Sequence, residues 1–75
     1  MNPTPHPPTP QIELDGQPLP LAPGLSLAAL LAQQGVDATT VATAVNQRFV
    51  ARALRPTTLL QPGDRITTFE AITGG

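Results

Sequence analysis

The residues of this 75-residue chain best suited to chemistry are its last two, Gly74 and Gly75. Because glycine has no Cβ, two glycines make the thinnest and most pliable chain end available, one that can enter a narrow channel. There the Gly75 α-carboxylate can lie against a nucleotide phosphate. A free carboxylate is a poor electrophile, but as an acyl-adenylate it acquires a leaving group that a thiol or persulfide displaces. The alternative is a frayed end without a role.

The other side chains offer little chemistry of their own. The chain has no Cys, which excludes disulfides, thiolate metal sites and Cys nucleophiles, and its one His, His6, cannot form a cluster. Four Arg, no Lys and a net charge of −1 do not make the basic surface of a nucleic-acid-binding protein. No apolar run approaches the roughly 20 residues of a membrane span, and no signal peptide is evident. We therefore expect a cytoplasmic protein that is not an enzyme and binds no metal, cofactor, nucleic acid or membrane.

The composition divides the chain into three parts. Residues 1–10 hold five of the ten prolines and one apolar residue, Met1, so we expect a disordered tail there. Residues 11–72 hold nearly all the other apolar residues and are interpreted as one small domain. Residues 73–75 are interpreted as a flexible C-terminal tail that the domain must position.

The first half of the domain predicts a hairpin. Ile12 and Leu14 alternate with polar residues, as in a half-buried strand, and Asp15-Gly16 suits a tight turn. The return strand carries Pro18 and Pro20, which lack N–H donors, so this strand is expected at the edge of the sheet.

A helix is predicted next, over residues 27–34. Ser26 can cap its start, and Leu27, Leu30 and Leu31 form one apolar stripe. Gly35 stands where a helix commonly ends in a left-handed residue.

The second half predicts a pair of strands, a turn and a last strand. Residues 41–45 are apolar on both faces, which indicates a central strand covered on both sides. Asn46-Gln47 suits a turn, residues 48–50 pair back, and residues 51–60 are ambiguous but can contain a helical turn. Pro62-Gly63 fits a type II turn before a strand over residues 65–71, in which we expect a bulge or a change of exposure near Thr68. The order predicts an α+β protein of the β-grasp type, a mixed four- to five-stranded sheet packed on one main helix.

Four segments, in order and at fitting spacing, resemble the ThiS family, the ubiquitin-like sulfur carriers of thiamine thiazole biosynthesis. They are residues 11–16 (QIELDG), 44–52 (AVNQRFVAR), 60–66 (LQPGDRI) and 69–75 (FEAITGG). The proline-rich start and Ala51, where Pro is frequent in the family, depart from the pattern.

The resemblance implies a mechanism in which the chain is a substrate of other enzymes. A ThiF-type adenylyltransferase would use ATP to adenylate the Gly75 carboxylate, and a persulfide donor enzyme would supply sulfur for a thiocarboxylate. A ThiG-type thiazole synthase would then accept that sulfur. Thr73 and Gly74 would form the tail that enters these enzymes.

Several other residues are candidates for binding these partners. Phe69 and Ile72 can belong either to the core or to an apolar docking patch near the tail. Arg48, Arg52 and Arg55 are either a solvated basic face or docking contacts. Asn46 and Asp64 are interpreted as turn residues.

Two rival functions stay open. The small subunit of molybdopterin synthase shares the fold and the thiocarboxylate, although the middle segment is more similar to ThiS. A ubiquitin-like modifier would instead join Gly75 to lysines of other proteins.

Overall fold

Residues 10–70 are described by the computed structural model; residues 1–9 and 71–75 lie outside the described part. Five strands and one α-helix make up this part, with a 3-10 helix before the last strand. The strands are β1 (Gln11–Leu14), β2 (Gln17–Pro20), β3 (Val41–Val45), β4 (Arg48–Val50) and β5 (Arg65–Glu70). The α-helix α1 is Leu27–Gln33, and the 3-10 helix is Arg52–Thr57.

The strands form one mixed sheet in the order β2-β1-β5-β3-β4. β1 and β5 are parallel, and the other neighbouring strands are antiparallel. One sheet face packs against α1. This is the predicted β-grasp architecture, and it places the last strand in the middle of the sheet.

The first hairpin confirms the predicted turn and edge strand. Asp15 and Gly16 both have positive φ, 49° and 87°, which is the geometry of a type I′ turn. β2 lies at the sheet edge, so the N–H groups that Pro18 and Pro20 lack are not needed for hydrogen bonds to another strand.

The helix begins and ends through local hydrogen bonds. The Ser26 hydroxyl accepts from the Ala29 amide at 3.1 Å, which caps the first turn. At the other end, the Gly35 amide donates to the Ala32 carbonyl and the Val36 amide to the Leu31 carbonyl, the Schellman pattern, with φ of Gly35 at 69°. The observed helix is one residue shorter than predicted.

The core lies between α1 and the sheet. Its apolar members are all nearly inaccessible to solvent: Ile12, Leu25, Leu27, Leu30, Leu31, Leu60 and Ile66. Burial of a side chain of this size stabilises by about 1.5–3 kcal/mol.

The prediction that residues 41–45 are covered on both faces is wrong. β3 does lie inside the sheet, and its buried Thr43 faces the core with Val41 and Val45. Ala42 and Ala44 point to the opposite face, which we call the outer face. No helix within residues 10–70 covers that face, although Ala44 is itself buried.

The last strand contains no bulge. Its ladder with β3 runs without interruption from the Ile66–Val45 pair to the Glu70–Val41 pair. Ile66 and Phe69 are three residues apart and therefore face opposite sides of the sheet. Ile66 is buried and Phe69 is exposed, so the predicted change of exposure is confirmed and the predicted bulge is not.

Candidate functional site

The sheet narrows to two strands where the chain runs on toward Gly75. β1 pairs with β5 only as far as Leu14–Ile66, and β4 pairs with β3 only as far as Val50–Thr43. Beyond these points β3 and β5 continue as a pair, through Ala42–Phe69 and Val41–Glu70. We call the residues Val41, Ala42, Phe69 and Glu70 the tapered end. The predicted site residues Ile72, Thr73, Gly74 and Gly75 lie outside the described residues.

An apolar patch covers the outer face beside the tapered end. It consists of Ala42, Ala44, Phe49 and Phe69, which the ladder registers place on one face. The two aromatic side chains are 72% and 54% exposed. Phe49 is opposite Ala44 and Phe69 opposite Ala42, so their Cα atoms are about 12 Å apart at ordinary strand spacing. Exposed aromatic rings on such a patch are typical of an interface.

Phe49 is the one member of this outer-face patch that is both highly exposed and absent from the predicted site residues. A sequence signal for it exists in the Asn46-Gln47 turn. A two-residue turn pairs Val45 with Arg48 and hence Ala44 with Phe49, which puts Phe49 on the face opposite Val45.

The three arginines of the predicted basic cluster have different surroundings. Arg48 is exposed on β4, and Arg52 is exposed and donates to the Thr39 carbonyl at 3.0 Å. Arg55 is only 3% exposed, so the prediction that it belongs to a solvated face or a docking surface is wrong.

Arg55 is instead a buried hydrogen-bond donor that joins the 3-10 helix to the sheet. Its Nε donates to Thr43 Oγ1 at 3.1 Å, and its two terminal nitrogens donate to the Ala38 and Val41 carbonyls at 2.8 and 2.7 Å. Burial, and to a lesser degree the neighbouring charge of Arg52, lower the pKa of the Arg55 guanidinium. The sequence offers no signal for this role, because an Arg after a strand is ordinarily exposed.

Asp15 forms hydrogen bonds with β5 on the side of that strand that faces β1. Its carboxylate accepts from the Thr68 amide at 2.8 Å and from the Thr68 hydroxyl at 2.6 Å. Asp15 and Thr68 are 53 residues apart in sequence, and only the closed sheet brings them together.

Asn46 and Asp64 are confirmed as turn residues. Asn46 takes a positive φ of 52°, and its side chain donates to Asp64 at 2.9 Å and accepts from the Arg65 amide at 2.9 Å. Asp64 also accepts from the Gln61 amide at 2.7 Å, which closes the Pro62-Gly63 turn. These bonds lie at the start of β5, at the end of the sheet opposite the tapered end.

Residues 10–70 contain neither a metal-binding cluster nor a membrane-spanning helix. No group of three or more His, Cys, Asp or Glu side chains there could hold a metal ion. No helix in that part is long and apolar enough to cross a membrane.

Comparison with known proteins assigns the chain to a family. A model of the ThiS family matches residues 8–75, which is nearly the whole chain and includes the terminal glycines. The chain belongs to the ThiS family. The sequence resemblance is thereby confirmed.

A solved structure has the same fold. The crystal structure of the thiamine biosynthesis protein ThiS from Geobacter metallireducens superposes with a TM-score of 0.74 at 22% sequence identity. The match covers 87% of this chain and 99% of that one. No curated protein matches this member of the ThiS family significantly.

Proposed function

We propose that this chain is a sulfur carrier of thiamine thiazole biosynthesis and that it holds sulfur on the Gly75 carboxyl group. The observation that carries the proposal is the ThiS family match, whose range includes Gly74 and Gly75. The same match favours the thiazole pathway over the small subunit of molybdopterin synthase and over a ubiquitin-like modifier. The chain acts in this proposal as a carrier on which other enzymes work.

The proposed chemistry takes place on Gly75 and within the partner enzymes. A Gly75 carboxylate oxygen attacks the α-phosphate of ATP in a ThiF-type enzyme, and pyrophosphate leaves. A persulfide sulfur then attacks the acyl-adenylate carbonyl, and AMP leaves. The product is an acyl disulfide that still contains the S–S bond of the persulfide. A second thiol attacks the enzyme-side sulfur of that bond, forms a disulfide with the enzyme and releases the Gly75 thiocarboxylate. A ThiG-type thiazole synthase accepts that sulfur.

The apolar patch is the proposed docking surface for the activating enzyme. Phe49 and Phe69 are exposed and adjoin the tapered end, so a partner bound over them lies close to where the chain runs on to Gly75. Between them Ala42 is half-buried and Ala44 is buried, so the two rings provide most of the exposed apolar surface of the patch. Exposed Arg48 and Arg52 are proposed as polar contacts at the rim of this interface.

Phe49→Ala and Phe69→Ala test the docking surface. Each variant is expected to raise the KM for the carrier roughly tenfold, since truncation of an interface aromatic commonly costs more than 1 kcal/mol of binding. Leu59→Ala is the matched control, because Leu59 is an apolar residue about as exposed as Phe69, at 56%, but lies outside the five strands. The assay is ATP–pyrophosphate exchange by a ThiF-type enzyme. An unchanged KM in both Phe variants would remove the patch from the proposal.

Gly75 itself is tested in the same assay. Exchange must depend on the carrier, and a chain lacking Gly75 or extended by one alanine beyond it should support none. Equal melting temperatures of the three chains would show that the loss is one of chemistry. Exchange by the extended chain would contradict a requirement for the Gly75 carboxylate.

A further inference from the structure

Within residues 10–70, the tapered end has no neighbouring strand on either side. On one side β1 has ended at Leu14, and on the other β4 has ended at Val50. A two-stranded ribbon is only marginally stable in water. The segment that leads to Gly75 therefore needs support that the strand ladder does not give.

Asp15 supplies this support on the β1 side. The Asp15 amide continues the parallel ladder by donating to the Ile66 carbonyl at 2.9 Å. The chain then turns away into β2, and the Asp15 carboxylate receives the Thr68 amide, the next β5 donor on that side. A side chain thus makes the bond that a further β1 residue would make.

Arg55 supplies the equivalent support on the β4 side. The Val41 carbonyl lies beyond the last β3–β4 pair, and Arg55 donates to it at 2.7 Å. The same guanidinium binds Thr43 Oγ1, and Thr43 is opposite Thr68 in the β3–β5 ladder.

The two supports meet across the sheet. Because the Thr68 amide points to Asp15, Thr68 and Thr43 form a non-hydrogen-bonded pair, in which side chains lie closest, with Cα atoms about 4.5 Å apart. A polar line therefore runs from Asp15 through Thr68 and Thr43 to Arg55. It crosses the core-facing side of the sheet immediately before the tapered end.

We infer that Asp15 and Arg55 are positioning residues, which take the place of neighbouring strands beside the tapered end and fix the position and direction of Phe69 and Glu70, the last described residues before the C-terminal glycines. This inference rests on the proposed function, since the direction matters because Gly75 must reach a partner's active site. The residues touch neither ATP nor the Gly75 carboxylate in this account. They act through Thr68, Thr43 and the tapered end.

Thr68 provides the cleanest test of the Asp15 side. Thr68→Val removes the hydroxyl bond to Asp15 and keeps the shape of the side chain, whereas Thr68→Ser retains the hydroxyl. Thr58→Val is the matched control, because Thr58 is half-buried like Thr68 and its hydroxyl also donates one short hydrogen bond, in this case to the Leu54 carbonyl at 2.7 Å. Its bond lies outside the polar line.

The variants are compared in ATP–pyrophosphate exchange with a ThiF-type enzyme. Thr68→Val should lower kcat about tenfold or more with little change in the KM for the carrier, since a misplaced reacting group costs turnover while the docking patch is retained. Thr68→Ser should restore kcat, and Thr58→Val should match the wild type. Arg55→Lys, whose single ammonium cannot reach all three acceptors, should also lose kcat. An unchanged kcat in Thr68→Val, or an equal loss in Thr58→Val, would overturn the inference.

Amide hydrogen exchange separates failure of this inference from failure of the proposed function, because it needs no partner enzyme. The Phe69 amide points to β3 and should exchange faster in Thr68→Val than in Thr58→Val. Equal rates would show that Asp15 does not hold the tapered end. If the Phe69 amide exchanges faster but kcat is unchanged, Asp15 does hold the tapered end, but its proposed role in positioning Gly75 for turnover is refuted. A wild-type chain that supports no ATP–pyrophosphate exchange would refute the proposed function.

Discussion

Replacement of Arg55 by methionine measures the competition between hydrogen bonding and desolvation at a buried cation. Arg55 is 3% exposed and makes three donor bonds of 2.7–3.1 Å. Among residues 10–70 no carboxylate forms an ion pair with it. Met has a similar length and no charge, so Arg55→Met removes the three bonds and the buried charge together.

The two effects have opposite signs. A hydrogen bond from a charged donor contributes about 1.5–3 kcal/mol net, so three bonds contribute at most about 4.5–9 kcal/mol. Removal of a buried charge recovers several kcal/mol of desolvation, and the two half-buried carbonyls can be rehydrated in the variant. We expect a net loss of about 2–4 kcal/mol. For a domain of this size that is a fall of roughly 10–30 °C in Tm.

Urea unfolding followed by far-UV circular dichroism measures this loss, because the chain has no Trp or Tyr for fluorescence. The control is Arg52→Met, since exposed Arg52 makes one hydrogen bond, to the Thr39 carbonyl. It should change the free energy of unfolding by no more than about 0.5 kcal/mol. The reasoning is refuted if Arg55→Met is within about 0.5 kcal/mol of Arg52→Met, or if it is more stable than the wild type.

Two further predictions concern local structure. Gln47 has a φ of 70°, which a side chain disfavours, so Gln47→Gly should raise the free energy of unfolding by about 0.5–1 kcal/mol in the same urea experiment; a decrease would contradict strain at this turn. Hydrogen bonds from the Thr39 hydroxyl and amide lower the pKa of Asp37 below its ordinary 3.8. The ionised Asp37 carboxylate therefore contributes to the free energy of unfolding above pH 3.8, and this contribution is lost as the pH falls through the folded-state pKa. The stability difference between wild type and Asp37→Ala should therefore be constant near neutral pH and shrink below about pH 4, and a difference that grows on acidification would contradict it.

Much of the fold was predictable because its signals are local. The Ser26 cap, the leucine stripe of α1, the Gly35 end and the Asp15-Gly16 turn each depend on residues a few positions apart. The prolines of β2 predicted a sheet edge for the same reason, since a missing N–H is a property of the residue itself.

The wrong predictions concern contacts distant in sequence. Arg55 is buried because Ala38, Val41 and Thr43 converge on it, and nothing near Arg55 in the chain indicates that convergence. Near Thr68 the sequence left open a bulge or a change of exposure, because Ile66 and Phe69 do not share one alternation, and the structure has the change of exposure. These two residues face opposite sides, and the Asp15–Thr68 bond that holds the strand joins positions 53 residues apart.

The features of the candidate site also separate into those that local sequence predicts and those that depend on distant contacts. The terminal glycines and the family resemblance could be read from the sequence, and the ThiS family match confirms the resemblance. Phe49 could have been predicted from the register of its hairpin. The taper of the sheet could not, because it depends on where β1 and β4 stop relative to β3 and β5.

The intact mass of the chain after sulfur transfer tests the central claim most directly. The chain would be incubated with ATP, a ThiF-type enzyme and a persulfide source, and the product fragmented to locate the change. The account predicts a species heavier by the difference between one sulfur and one oxygen atom, located at Gly75. An unchanged mass with demonstrably active enzymes, or Gly75 found joined to lysines of other proteins, would contradict it.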